Sequence, residues 1–131
     1  MLRVLAYTIH KDLERGGPNE ELHMTLDHLG GDRRKQVDLL IETDLQNRPV
    51  KRELLARMER GEGNVLALGH LHHLFDSLAE LKDVYYRIMR PHGIALVSWG
   101  AGLDTRNPRG VGSERTLEEF LALAKLVQPA E

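Results

Sequence analysis

Four short apolar runs recur along the chain, at residues 2–9, 37–41, 64–68 and 94–97, and an amphipathic stretch separates each from the next. A run of this length bounded by turn residues reads as a strand covered on both faces, which is the environment of a parallel sheet. Parallel neighbours must be joined by crossovers of a dozen or more residues, normally helices, and those crossovers are right-handed. The intervening stretches fit that demand. Leu22, Met24, Leu26 and Leu29 give a helical pattern closed by Gly30-Gly31, where a helix C-terminus favours glycine. Pro49 suits the first turn of a helix with the stripe Leu54, Leu55 and Met58, ending near Gly61. Asp76-Ser77 opens a longer helix, with Ser77 and Glu80 as a capping box, the stripe Leu78, Leu81, Val84, Tyr85 and Ile88, and Pro91 as its stop. After a glycine-rich loop at 100–112, Thr116 and Glu119 form a second capping box at the head of a last helix. The expected fold is therefore a doubly wound open α/β sheet of about four parallel strands with helices on both faces. Ligand sites in such sheets lie beyond the carboxyl ends of the strands, here residues 8–11, 42–48, 69–73 and 99–104.

At 131 residues, 41% hydrophobic and 29% charged, the chain is expected to form one domain, 1–131, with its own core. Aromatic residues are only 5%, so that core is built from Leu, Val, Ile and Ala. The absence of cysteine excludes disulfides and thiolate chemistry. No stretch approaches the ~18 apolar residues of a membrane span, and the expected location is the cytoplasm. A net charge of −2 supplies no global field for nucleic acid. The basic clusters Arg33-Arg34-Lys35 and Lys51-Arg52 are flanked by acids and read as solvated faces.

The strand ends carry a resemblance. Arg3-Val4-Leu5-Ala6-Tyr7, Asn47-Arg48-Pro49 with the following Leu54-Leu55, and the turn and strand at 61–68 come in order. His70-Leu71-His72-His73-Leu74-Phe75-Asp76-Ser77, the strand at 93–98 and Gly102-Leu103-Asp104-Thr105 follow. Together they resemble the catalytic domain of serine recombinases, the resolvase and invertase family, over nearly the whole chain. That family attacks a DNA phosphodiester with a serine hydroxyl, while several arginines neutralise the phosphate. Aligned on Tyr7, the serine position holds Lys11 and the preceding arginine position Ile9. His72-His73 replace an aspartate-arginine pair, Asp76 replaces a further arginine, and only Arg48 matches. Lys11 lacks a hydroxyl and Ile9 lacks a donor. Asp76 would set an anion beside the phosphate, at a cost on the order of several kcal/mol. A loss of ~4 kcal/mol of transition-state stabilisation slows a reaction about a thousandfold. No catalytic residue is expected. Among other hydroxyls, Thr8 should point away from the face of Ile9 and Lys11, Ser77 should cap a helix, and Ser98 should bond backbone.

The resemblance implies a non-catalytic recombinase-like domain acting through protein contacts, a regulatory or accessory partner in DNA recombination. Leu117, Phe120, Leu121, Leu123 and Leu126 give the last helix an apolar face suited to an active recombinase or a second copy. The long dimerisation helix is cut short and no helix-turn-helix follows, so DNA is expected only weakly or within a larger assembly. A competing reading is a metal-dependent hydrolase or phosphate-binding protein. His10, His70, His72 and His73 fall at two strand ends, with Asp76 three residues beyond His73. This set offers ligands to zinc or another borderline metal, and an extended chain would put His70 and His72 on one side. Otherwise no cofactor is expected, and these histidines occupy positions released from catalysis. His23, His28 and His92 read as surface residues. Arg48 either holds a phosphate or pairs with Glu42 or Asp44. Trp99 either lines a pocket or packs under the loop after it. Arg106, Arg109 and Arg115 face either a phosphate backbone or solvent.

Overall fold

The structure is a computed structural model that describes residues 2–9, 17–30 and 35–127. The chain runs β1 (Leu2–Ile9), α1 (Gly17–His28), β2 (Lys35–Glu42), α2 (Pro49–Glu59), β3 (Val65–Leu68) and a 3-10 turn (Leu71–His73). It continues as α3 (Leu78–Val84), which passes into a π turn (Tyr85–Met89), then β4 (Ala95–Ser98), β5 (Leu103–Asp104) and α4 (Glu114–Val127). The sheet order is β2-β1-β3-β4-β5. The first four strands are parallel, as their apolar runs require, and β5 is antiparallel to β4. Sequence periodicity missed β5 because two residues inside a glycine-rich loop carry no period. Thr105 anchors it: its hydroxyl accepts from Leu96 N at 2.8 Å, and its own N–H donates to Leu96 O at 3.0 Å.

The pleat of the strands sorts the core into two layers. Leu5, Tyr7, Leu40, Leu66, Leu68 and Leu96 face α2, α3 and α4, and form the larger layer with Leu54, Met58, Leu81, Ile88 and Leu121. Val4, Ala6, Val65, Ala67 and Val97 point the other way, to Leu22 and Leu29 beside α1. Full burial of such side chains contributes about 1.5–3 kcal/mol each, so the layers hold the sheet together.

Four expectations need correction. The second run is not a covered strand: β2 is the sheet edge, and Val37 and Leu39 are 37% and 52% exposed. Met24 is also exposed, and the buried position on α1 belongs to Thr25. Its hydroxyl lies 2.9 Å from both Glu21 O and Leu68 O and accepts from Trp99 N at 2.9 Å, which locks α1 to the ends of β3 and β4. The last helix starts at Glu114, ahead of Thr116. Ser113 Oγ accepts from Thr116 N at 3.4 Å, while Glu119 is taken by Arg115 at 3.1 Å, so no Thr116–Glu119 box forms. At α3 the expected cap holds in one half. Ser77 Oγ accepts from Glu80 N at 3.1 Å, but the Glu80 carboxylate reaches Asp76 N at 2.9 Å and not Ser77.

Candidate functional site

The carboxyl ends of β1, β2 and β3 converge on Arg48. This residue caps the N-terminus of α2 with φ 49° and ψ 56°, the one non-glycine residue with positive φ among those described. The following Pro49 disfavours the right-handed helical region at Arg48. The tight turn that Asp44 organises supplies the rest. Asp44 Oδ1 accepts from Gln46 N and Asn47 N at 3.1 Å each, and Asp44 O accepts from Arg48 N at 2.9 Å. The bonds from Asn47, and then from Gln46, hold the Asp44 carboxyl below its ordinary range. A left-handed arginine costs roughly 1 kcal/mol or more, and the contacts of its head group offset that.

The guanidinium is engaged through its two terminal nitrogens. Nη1 donates to Asp76 Oδ1 at 2.9 Å; Nη2 donates to Tyr7 Oη at 3.1 Å and to the His73 carbonyl. Tyr7 donates in turn to Glu42 Oε1 at 3.0 Å. Glu42 is wholly buried, yet it sits where an anion is best placed, at the N-terminus of α2. Its carboxylate accepts from Val50 N at 3.1 Å and Lys51 N at 2.8 Å. The Lys51 ammonium completes the set with Glu80 at 2.9 Å and Asp76 at 3.4 Å. Burial pushes the Tyr7 phenol up to about 12; Arg48 pulls against this and Glu42 adds to it. Burial works against the charge of Arg48, but Tyr7, Asp76 and Glu42 outweigh it and hold its pKa above the usual value. Two cations thus face three carboxylates, and the only broadly exposed member is Asp76, at the rim.

The fold fixes the surroundings of the residues over which the sequence left alternatives. Arg48 pairs directly with Asp76, and reaches Glu42 only through Tyr7, while Asp44 is occupied by its own turn. Ile9 ends β1 half-buried against the larger core layer. Lys11 and His10 lie outside the described residues. His70, His72 and His73 do come together, with ring centroids 4.7, 4.7 and 5.6 Å apart. However, the strand ends at Leu68 and residues 71–73 wind into a 3-10 turn, so His70 and His72 do not project from one strand face. His70 contacts Glu21 of α1, and Asp76 is drawn to Arg48 and Lys51. Among the described residues no group of three or more histidine or acidic side chains is placed to hold a metal ion. Of the set His70, His72, His73 and Asp76, the fold thus brings the three histidines together and pairs Asp76 with Arg48 and Lys51 instead.

Thr8 is fully buried, and its register opposite Ile41 puts it on the α1 face, away from Arg48. Its hydroxyl has no partner among the described residues. Ser98 Oγ donates to Gly69 O at 3.0 Å, the backbone role expected of it. His28 is less superficial than its position in the sequence implied. It bonds Asp104 at 2.9 Å and stands 6.0 Å from the Trp99 ring. Half-exposed Trp99 lines a cavity of about 180 Å³ with His28, Asp104 and the loop residues Gly102, Asn107 and Gly112. Arg106 clamps Asp104, Arg115 pairs with Glu119, and Arg109 is exposed. Sequence reasoning missed Tyr7, Lys51 and Glu80 as neighbours of Arg48, and named Glu42 only as a direct partner of it. Glu42 carried a signal: an acid at the end of an apolar strand, a few residues before a proline-started helix.

Parallel strands in the order 2-1-3-4, an antiparallel edge strand and helices on both faces make an α/β fold of the resolvase catalytic-domain type. The solved N-terminal catalytic domain of TP901-1 integrase matches this chain with a TM-score of 0.66, covering 95% of this chain and 92% of that one. Sequence identity is 18%, so the likeness speaks for the fold. No protein-family model and no curated protein matches the sequence.

Proposed function

We propose that this chain is a recombinase-like domain that does not cleave DNA, and that it serves as an accessory partner of an active recombinase. The observation that carries this reading is the state of Arg48. Stabilising a phosphoryl transition state takes preorganised cations aimed at the reacting group. Here the retained cation is held by a carboxylate, a phenol and a carbonyl. The phenol beside it is no substitute nucleophile, because it is buried, donates to Glu42 and ionises only near 12. The contact to a recombinase subunit is assigned to α4, where Leu117 and Leu121 face the core and Phe120 is 51% exposed.

Incubation with supercoiled DNA, followed by denaturation and gel analysis, is expected to show no covalent protein–DNA adduct. A protease-sensitive adduct would overturn the reading. For the partner role, Phe120→Lys should leave the circular dichroism unchanged while abolishing co-elution with a serine recombinase catalytic domain. Equal co-elution of the variant would remove α4 as the contact.

A further inference from the structure

β2 is an edge, and among the described residues no strand pairs with its outer side. It is also long, the eight residues Lys35-Gln36-Val37-Asp38-Leu39-Leu40-Ile41-Glu42, without a proline. Proteins usually blunt such an edge with a proline, a bulge, a short strand or a charge on the open face, because an open ladder invites another strand. None of these devices operates on β2. Asp38 lies on the α2 side, held by Arg57 at 2.7 Å. Lys35 is tied back to the end of α1, donating to Gly30 O at 2.8 Å and Leu26 O at 3.2 Å. The register with β1 puts Val37, Leu39 and Ile41 on the α1 face, opposite Val4, Ala6 and Thr8. That face is left partly open over β2, and Val37, Leu39 and the neighbouring Met24 are 37%, 52% and 39% exposed.

We propose that β2 is a self-association surface: two copies pair their β2 strands antiparallel about a two-fold axis through Leu39, which joins two sheets into one. For a second copy, the strand's own sequence favours one register. A two-fold axis perpendicular to the sheet keeps the faces of the two copies aligned, so the choice reduces to which residue sits on the axis. With Asp38 there, two like charges stand directly opposite, which is destabilising. With Val37 there, Leu39 meets Lys35; with Leu40 there, Asp38 meets Glu42. With Leu39 on the axis, Leu39 meets itself and Val37 meets Ile41 on the same open face, while on the other face Gln36 meets Glu42 and Asp38, neutralised by Arg57, meets Leu40. Only this arrangement of the four sets apolar against apolar across the exposed stripe and opposes no like charges. It extends beyond the recombinase-partner reading and does not depend on it.

The chain has no cysteine, so a single introduced thiol reports on one position. Directly opposed residues of an antiparallel pair have Cα atoms about 4.5–5.5 Å apart, within disulfide reach. Leu39→Cys in the full 131-residue chain is therefore expected to give a disulfide-linked dimer under mild oxidation. Phe120→Cys, half exposed on α4, is expected to stay a monomeric thiol. Sedimentation should show a concentration-dependent dimer for the unmodified chain. Leu39→Lys, at an exposed position that leaves the circular dichroism intact, should weaken it on the order of tenfold or more. A monomer at all concentrations, a dimer that Leu39→Lys does not weaken, or a disulfide at position 120 but not at 39 would each overturn the proposal. The last result would move self-association to α4, and none of them bears on whether the chain cleaves DNA.

Discussion

Tyr7 joins the buried carboxylate of Glu42 to the guanidinium of Arg48, and both contacts run through one hydroxyl. Tyr7→Phe keeps the ring in the core and removes that bridge. Glu42 retains the N–H groups of α2, and Arg48 retains the His73 carbonyl, so the expected loss is about 1–2 kcal/mol by chemical denaturation. The same burial gives an alkaline signature. A phenol whose pKa rises to about 12 on folding contributes stability below its ordinary value of 10.0, and that contribution is lost as pH climbs through 12. Tyr85 is raised to about 12 as well, chiefly by burial with Glu114 and Glu118 adding to it. Absorbance titration should show tyrosinate from these two residues only near pH 12 or with unfolding. Asp104 has the opposite sign. Burial opposes its charge, but the bonds from Arg106 and His28 prevail and bring it from 3.8 down to about 2. Its stabilisation, on the order of 2 kcal/mol, is complete above pH 4 and disappears between 4 and 2. Asp104→Asn should flatten the acid limb of a stability–pH curve in that window.

Elements depend on a few local devices. Ser77 caps α3, and Ser77→Ala is expected to cost about 1 kcal/mol in a denaturation midpoint at unchanged slope. Gly112 is more demanding. Its φ is 72°, and an added Cβ would meet Gly102 O at 2.0 Å, a backbone atom that cannot step aside. Gly112 O also accepts from Asp104 N at 2.7 Å, so the turn holds β5 in place. Gly112→Ala should therefore cost about 2 kcal/mol or more, with the Trp99 fluorescence altered because both residues line one cavity.

At the scale of the molecule, the described part of the carboxyl end of the sheet sets carboxylates against its cations. Arg48 and Lys51 are both bound to Asp76, and the whole chain carries −2. Asp76→Asn removes the carboxylate from the rim without touching the core. It is expected to raise the affinity for inorganic phosphate, measured by calorimetry at low salt, where exposed charges are least screened. An unchanged affinity would show that Asp76 is not what keeps anions from Arg48.

Much of the fold was legible because its signals are local. Apolar runs set the four parallel strands, and Ser77, Pro49 and Gly30 mark helix ends through contacts a few residues away. Arg48 was singled out by the resemblance that Asn47-Arg48-Pro49 carries, although its pairing with Asp76 was not legible. The position of β2 was hidden, since an edge strand and a central strand begin as the same apolar run and differ only in what packs beside them. The conformation of the histidine segment was hidden for a related reason: spacing in the chain gave no hint that the strand would stop at Leu68 and wind into a turn. The sequence by itself determined the alternation of strand and helix, because each period is written within one element. Only the tertiary structure decided that Tyr7, Glu42, Arg48 and Asp76 share their protons and charges, because hydrogen bonds act over about 3 Å in space between residues far apart along the chain.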